Sequence, residues 1–255
     1  MKNPRLISSL NSKKCLRASS AAPKKGLIAI LLFAWAGSYA SNQLTQSNSN
    51  LNITKRIQSD IAIQQQKGGS FDTLTKQWEK AYGYHAYQPL LEIAANSHIS
   101  EMERYIAMMS ASKLGGTAAI PSLIVLLRDS SWMIRSGALR ALSVVGDSRT
   151  GEAVLPLAHD PALTVRVEAV EAIRKLKPKG TTEALLFIIE DKNNYHAGKA
   201  QWAPQKALLA LTSLHAKEAV PRLKPLLASV SRNRDPEFKK ELERALNLLE
   251  GSETF

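Results

Sequence analysis

The sequence predicts an all-α solenoid built from about five stacked helical hairpins. The segment Arg128 to Asp147 recurs 31 residues later as His159 to Pro178. Asp129, Arg135, Ala138 and Ala141 return as Asp160, Arg166, Ala169 and Ala172. The apolar residues Ile134, Leu139, Leu142 and Val145 return as Val165, Val170, Ile173 and Leu176. A fixed period of this size marks a unit that cannot bury its apolar face alone and so stacks on its neighbours. Composition agrees: 44% of residues are apolar and only 6% aromatic, with Ala and Leu dominant, which favours helix.

Residues 1–40 read as a targeting segment. Met1 to Gly26 carries seven basic residues and no acidic one, and Leu27 to Ala40 is an apolar run of 14 residues. Ser38 and Ala40 put small side chains at the −3 and −1 positions of a cleavage site. A basic stretch, an apolar run and a small-residue end are the three parts of a secretory signal. The run is short of the roughly 20 residues that a spanning helix needs, so cleavage is the expectation and an uncleaved inner-membrane anchor the alternative. Either way the rest of the chain is expected to be exported, periplasmic or anchored facing the periplasm. Cys15, the one cysteine, precedes the apolar run, so no disulfide or thiolate chemistry is expected beyond it. The net charge of +12 is concentrated here. Seven of the 34 basic residues and none of the 22 acidic ones precede Ser41, which leaves +5 for the remainder.

Residues 41–70 are rich in Ser, Asn and Gln and read as a polar linker with a short helix near Lys55 to Gln66. Phe71, Leu74, Trp78 and Tyr82 fall at helical spacing outside the repeat, so residues 71–86 are expected to cap the first hairpin. The repeat domain spans 87–251. Its first hairpin pairs Gln88–Asn96 with Ser100–Gly116. The second runs from Thr117 to Gly146 and the third from Asp147 to about Gly180. The fourth pairs Thr182–Asp191 with Pro204–Leu214, and the fifth Glu218–Val230 with Asp235–Gly251. In the fourth, Ala207 and Ala210 match Ala169 and Ala172 at an offset of 38, so seven extra residues separate its helices. Asp147 and Thr181 or Thr182 suit helix starts, Pro121 and Pro221 suit first turns, and Gly115, Gly146 and Gly251 suit left-handed helix ends.

These residues resemble HEAT repeats, specifically the short bacterial HEAT-like repeats also found in phycobilin lyases, whose signature runs D-x5-VR-x2-A-x2-ALG. Here it reads Asp129-x5-Arg135-x2-Ala138-x2-Ala141-Leu142, and again from Asp160 to Ile173. Pro204 and Lys239 stand where the fourth and fifth hairpins should carry the Arg. The resemblance implies a right-handed superhelix of antiparallel helix pairs, second helices on the concave side, used as a binding scaffold. It carries over no lyase activity, because no catalytic residue set matches.

The register Arg104, Arg135, Arg166 has two readings. It is a basic ladder for an anionic ligand, or a set of structural arginines bonded to carboxylates such as Asp129 and Asp160; the second suits the bidentate geometry of Arg better. With positions 134, 138, 141, 142 and 145 facing the core, Ser136, Arg140 and Ser143 are left on the outer face, equivalent to Val167, Glu171 and Arg174, with Lys175 alongside. The insertion Lys192 to Pro204 holds Tyr195, His196 and Trp202, residue types that anchor partners, inside an otherwise short connection. Trp132 is expected at a rim of the same surface. The candidate partner-binding residues are therefore Tyr195, His196, Trp202, Arg140, Arg174, Lys175 and Trp132. No histidine pair has metal-ligand spacing, and no nucleotide-binding or nucleophile motif occurs, so neither cofactor nor metal is expected. The surface lacks the aromatic interleaving of nucleic-acid grooves. The leading expectation is a non-enzymatic exported scaffold for a protein partner. Two alternatives stay open: an enzyme or enzyme subunit of lyase-like or envelope-modifying activity, and a binder of polyanions or membrane surfaces.

Overall fold

A computed structural model describes residues 47–68, 70–232 and 235–251. The expected signal or anchor at 1–40, with Cys15, lies outside the described residues. The described elements belong to one compact unit that begins at Asn48.

The stretch expected to be a polar linker with a short helix near Lys55 to Gln66 is helical over a longer span. Residues 47–67 form one continuous helix, α1. Ile57 and Ile61 are fully buried and Ile53 packs against the same core. The isoleucines fall four residues apart, so one narrow column is apolar while Ser, Asn and Gln cover the rest. The next helix, α2 (Phe71–Tyr82), starts at Ser70, whose hydroxyl accepts from the Asp72 N–H. Its Trp78 is buried and donates from Nε1 to Asp60 of α1 at 3.0 Å. Its Thr75 meets Ser110 of the first hairpin at 2.7 Å. The cap that shields the first apolar face is thus a pair of helices.

Five hairpins follow: α3 (Tyr87–Ala95) with α4 (Glu101–Gly115), α5 (Ile120–Leu126) with α6 (Trp132–Val145), α7 (Ser148–Val154) with α8 (Leu163–Leu176), α9 (Thr181–Glu190) with α10 (Trp202–Ser213), and α11 (Val220–Arg232) with α12 (Pro236–Glu250). The second helices touch one another along the row α4, α6, α8, α10, α12. The first helices meet largely through short 3-10 turns, as α9 does with Leu155–His159 and Lys217–Ala219. Closer spacing along one row curves a solenoid toward that row, which puts the second helices on the inside. Glu101–Leu126 is long and apolar enough to cross a membrane by length and composition. Gly116, at φ 52°, instead divides it into α4 and α5, both packed into the stack.

Several helix ends differ from expectation. Gly115 is the last residue of α4, and Gly116 takes the left-handed position after it. Gly146 leaves α6 in an extended conformation, with φ −81° and ψ 170°. Gly251 does close α12 at φ 73°. Asp147 caps α7 in a reciprocal box with Thr150, and its hydrogen bond from Arg149 holds its carboxyl down at about 2. Thr181 caps nothing: its hydroxyl donates to the Pro178 carbonyl, and Gly180 at φ 88° opens α9.

The arginine register ties each hairpin to the next. Arg104 on α4 makes a bidentate pair with Asp129, which lies just ahead of α6. Arg135 on α6 does the same with Asp160 ahead of α8, at 2.7 and 2.8 Å, and also reaches the carbonyls of Asp129 and Ser130. Arg166 on α8 finds Asn194 at 2.6 Å and the carbonyls of Asp160 and Pro161. Where Pro204 interrupts the register, the Ala200 N–H donates to Asp235 ahead of α12 at 2.8 Å. Arg104, Asp160 and Arg166 are buried, so none of these side chains is free to hold a ligand. Asn194 was hidden by the insertion, which stretches the arginine-to-partner spacing from 25 residues to 28.

Ser131 precedes α6 as Ala162 precedes α8, but its hydroxyl is buried without a hydrogen-bond partner. An unmet buried hydroxyl costs about 1–3 kcal/mol. Ser131→Ala, which copies the following hairpin, is expected to leave the melting temperature unchanged or raise it; a fall in thermal denaturation would show that the hydroxyl is used.

Candidate binding surface

The outward positions of the second helices form a grid. Reading along the stack gives Met109 and Lys113 on α4; Arg140 and Val144 on α6; Glu168, Glu171 and Lys175 on α8; Lys206, Leu209 and Ser213 on α10; and Glu241, Arg244 and Leu248 on α12, while Ile106 and Gly137 at the matching positions of α4 and α6 are buried. Charges fill the middle and apolar residues collect at both ends.

The middle is knitted by ion pairs. Arg140 on α6 pairs with Glu168 on α8, while Glu171 holds Arg174 at 2.7 Å and Lys175 at 3.3 Å. Those partners push the Glu171 carboxyl below its ordinary range, the Arg174 hydrogen bond first. Next to them Lys206 makes no ion pair among the described residues, and a groove of about 480 Å³ runs between α8 and α10 past Glu171, Arg174 and Leu209.

At the carboxy-terminal end that groove continues, through shared Lys206 and Leu209, into one of about 540 Å³ between α10 and α12. Trp202, Leu209 and Leu248 line it with 74, 63 and 65% of their surfaces exposed. Glu241 and Arg244 form its rim. Partial burial, with Asp235 and Glu237 nearby, raises the Glu241 carboxyl, and Arg244 opposes the rise. A third groove, about 470 Å³, lies among α2, α4 and α6 and is lined by Phe71, Met102, Tyr105, Met109 and Val144. Exposed apolar side chains are common singly; three gathered in one concavity make this groove the candidate interaction surface.

The seven candidate residues separate. Trp202 stands in the α10–α12 groove and Arg174 in the adjoining one. Arg140 and Lys175 lie on the same face in the ion pairs above. Trp132 is exposed at the start of α6. His196 is exposed at the tip of a two-stranded hairpin, Tyr195–His196 paired with Lys199–Ala200, into which the insertion folds. Tyr195 is turned inward: its hydroxyl donates to the Ile189 carbonyl at 2.6 Å and its ring stands edge-on to Phe238. Burial raises its phenol pKa. Tyr195 therefore braces the insertion against α12 and does not reach the groove. Ser136, expected on the outer face, is buried between helices because Gly137 beside it lets α4 approach closely. Leu209, Leu248, Val144 and Met102 were not singled out from sequence. The signal for Leu209 was present: at the offset of 38 it is an aliphatic residue where Glu171 stands, and where Arg140 stands one hairpin earlier.

The turn of the small hairpin holds Ala197 at φ 51° and Gly198 at φ 78°. Two consecutive positive φ values define the tight turn that prefers Asn-Gly. Ala197→Asn is expected to raise stability in chemical denaturation, because Asn adopts positive φ more readily than Ala; a loss would show that Ala197 is not strained.

On the opposite side, His159 packs against Phe187 with ring centroids 3.7 Å apart and ring planes tilted by 43°. Arg222 bridges Glu183 and Glu190 across α9 and α11. Among the described residues no three His, Cys, Asp or Glu side chains converge as metal ligands do.

Residues 87–174 match the family model for HEAT repeats. No curated protein matches the chain. A designed armadillo repeat protein, solved in complex with the peptide (KR)4, superposes with a TM-score of 0.50 at 18% identity, over 77% of this chain and 98% of that one. An engineered protein (TM-score 0.45, 18% identity, 72% of this chain and 85% of that one) is similar in outline. So is a second designed armadillo repeat protein (TM-score 0.44, 19% identity, 69% and 85%). At these identities the likeness is one of fold. The chain is an α-solenoid of helix pairs whose residues 87–174 match HEAT repeats in sequence, and the same helix pairing continues to Glu250.

Proposed function

We propose that this protein is an exported, non-enzymatic scaffold that holds a protein partner on the outward face of its second helices. The observation that carries the proposal is the gathering of Trp202, Leu209 and Leu248 in one open groove. A rigid solenoid presents such a surface preformed, so little ordering entropy opposes binding. A solenoid of similar fold solved with a peptide is a precedent on another protein. Export rests on the basic stretch, the apolar run Leu27 to Ala40 and the small residues Ser38 and Ala40. The protein recovered from the periplasm is expected to begin at Ser41; mass spectrometry that finds it intact and membrane-bound would select the anchored form, and recovery from the cytoplasm would reject export.

The binding proposal is tested by crosslinked capture from the native envelope fraction with full-length tagged protein. One or two stoichiometric proteins are expected, and they should be lost from Leu209→Glu. Partners that Leu209→Glu retains, or lipid, glycan or small molecules in place of protein, would reject it.

A further inference from the structure

The groove between α10 and α12 has a direction. Along α10 its lining runs Trp202, Gln205, Lys206, Leu208, Leu209 and Thr212; along α12 it runs Glu241, Arg244, Ala245 and Leu248. Each set recurs at three- and four-residue spacing on one face of its helix (202, 205 and 206, 208 and 209, 212; 241, 244 and 245, 248), so the groove follows the helix axes. At 1.5 Å per residue it runs about 15 Å. The exposed apolar residues Trp202 and Leu209 sit two turns apart on one wall, and Leu248 stands on the other. A trough of this length between two helices takes a third helix by the ridge-and-groove packing that joins neighbouring helices elsewhere. An extended strand would set only four or five residues against it, half of them pointing away.

Charge narrows the occupant further. Lys206 lies on the wall between Trp202 and Leu209 and makes no ion pair among the described residues. Arg244 is the other cation lining this groove, and Glu241 is its one carboxylate. The lining therefore carries one more positive than negative charge beside its apolar floor, with Lys206 placed between the exposed Trp202 and Leu209.

Resting on the scaffold reading above, we propose that the α10–α12 groove receives an amphipathic helix of the partner, three turns long, with apolar residues at i, i+3 or i+4, and i+7 and an acidic residue set against Lys206. This is helix-in-groove recognition, in which an apolar stripe supplies affinity and flanking charge sets orientation.

The test is a selection of random 16-residue peptides, displayed on a surface, against the full-length protein. The expected pool is enriched in apolar residues at that spacing with Asp or Glu beside them. A synthetic peptide of the enriched sequence should gain helicity on binding. Its affinity should fall at least tenfold with Leu209→Glu and with Lys206→Glu, while both variants melt as the parent does. Because both residues are exposed, loss of fold is not expected; Trp202→Ala serves as a second probe. Selected peptides that alternate apolar and polar residues, carry basic flanks, or bind Leu209→Glu unchanged would overturn the proposal, as would no enrichment at all. If envelope proteins still crosslink through this face, the helix proposal alone fails; if none do, the scaffold reading fails with it.

Discussion

Arg135→Met is expected to destabilise the solenoid by about 3–5 kcal/mol, the cost of leaving a buried partner charge unanswered. Arg135 and Asp160 are 12% and 4% exposed at their side chains and share two hydrogen bonds. The arginine also holds the carbonyls of Asp129 and Ser130, so one substitution unties the second hairpin from the third and loosens the turn of its own. Adding Asp160→Asn removes the orphaned charge while leaving an acceptor for the Ala162 N–H, which Asp160 now serves at 2.8 Å. The double variant should thus be less damaged than the sum of the two single ones, by more than about 0.5 kcal/mol in a double-mutant cycle. Strict additivity would mean that the pair contributes no coupling between hairpins.

The same ladder gives the fold an acid limit. Burial tends to raise the Asp129 carboxyl. The hydrogen bond from Arg104, the Ser131 N–H and the charges of Arg104 and Arg135 outweigh that and hold it below its ordinary value. A carboxylate lowered in the folded state contributes stability above its unfolded pKa and loses it as pH falls through the folded one. Asp129→Asn is therefore expected to be less stable than the parent at neutral pH, with the difference shrinking as the solution is made more acid. An equal difference at every pH would refute that origin.

Leu209→Glu is expected to lower partner affinity at least tenfold without moving the melting temperature. The side chain is 63% exposed, so the folded state loses little, while a bound complex would bury a carboxylate against Trp202 and Leu248. Trp202→Ala should act in the same direction, since large aromatic anchors dominate interface energies. Tyr195→Ala should behave in the opposite way, lowering stability because the residue ties the insertion to Ile189 and Phe238.

The hairpins and their order were legible from sequence because the period is carried by buried residues. Ala138, Ala141 and Leu142, like Ala169, Ala172 and Ile173, can be only what close helix packing allows. Of the helix at 47–67 only the part near Lys55 to Gln66 was legible; its start and its burial were not, because one isoleucine per turn is too narrow a stripe for amphipathic reading, and its burial depends on α2. The strand pairing within the insertion was masked by an Ala-Gly turn that lacks the usual residue at its first position. The groove escaped for a different reason. The outer face was read from α6 and α8, whose exposed positions carry paired charges, whereas the apolar cluster lies on α10 and α12, beyond a shift in register. Trp202 was found by residue type alone; Leu209 and Leu248 needed the fold to place them beside it.

Photo-crosslinking from defined positions tests the scaffold account most directly. A photoreactive amino acid would be placed in turn at Leu209 and Val144 on the second helices and at Val125 on α5, all exposed, and activated in intact cells of the source organism. The account predicts protein adducts from Leu209, and none from Val125. Adducts from Val125 with none from Leu209 would contradict it, because the partner would then sit on the other side of the solenoid.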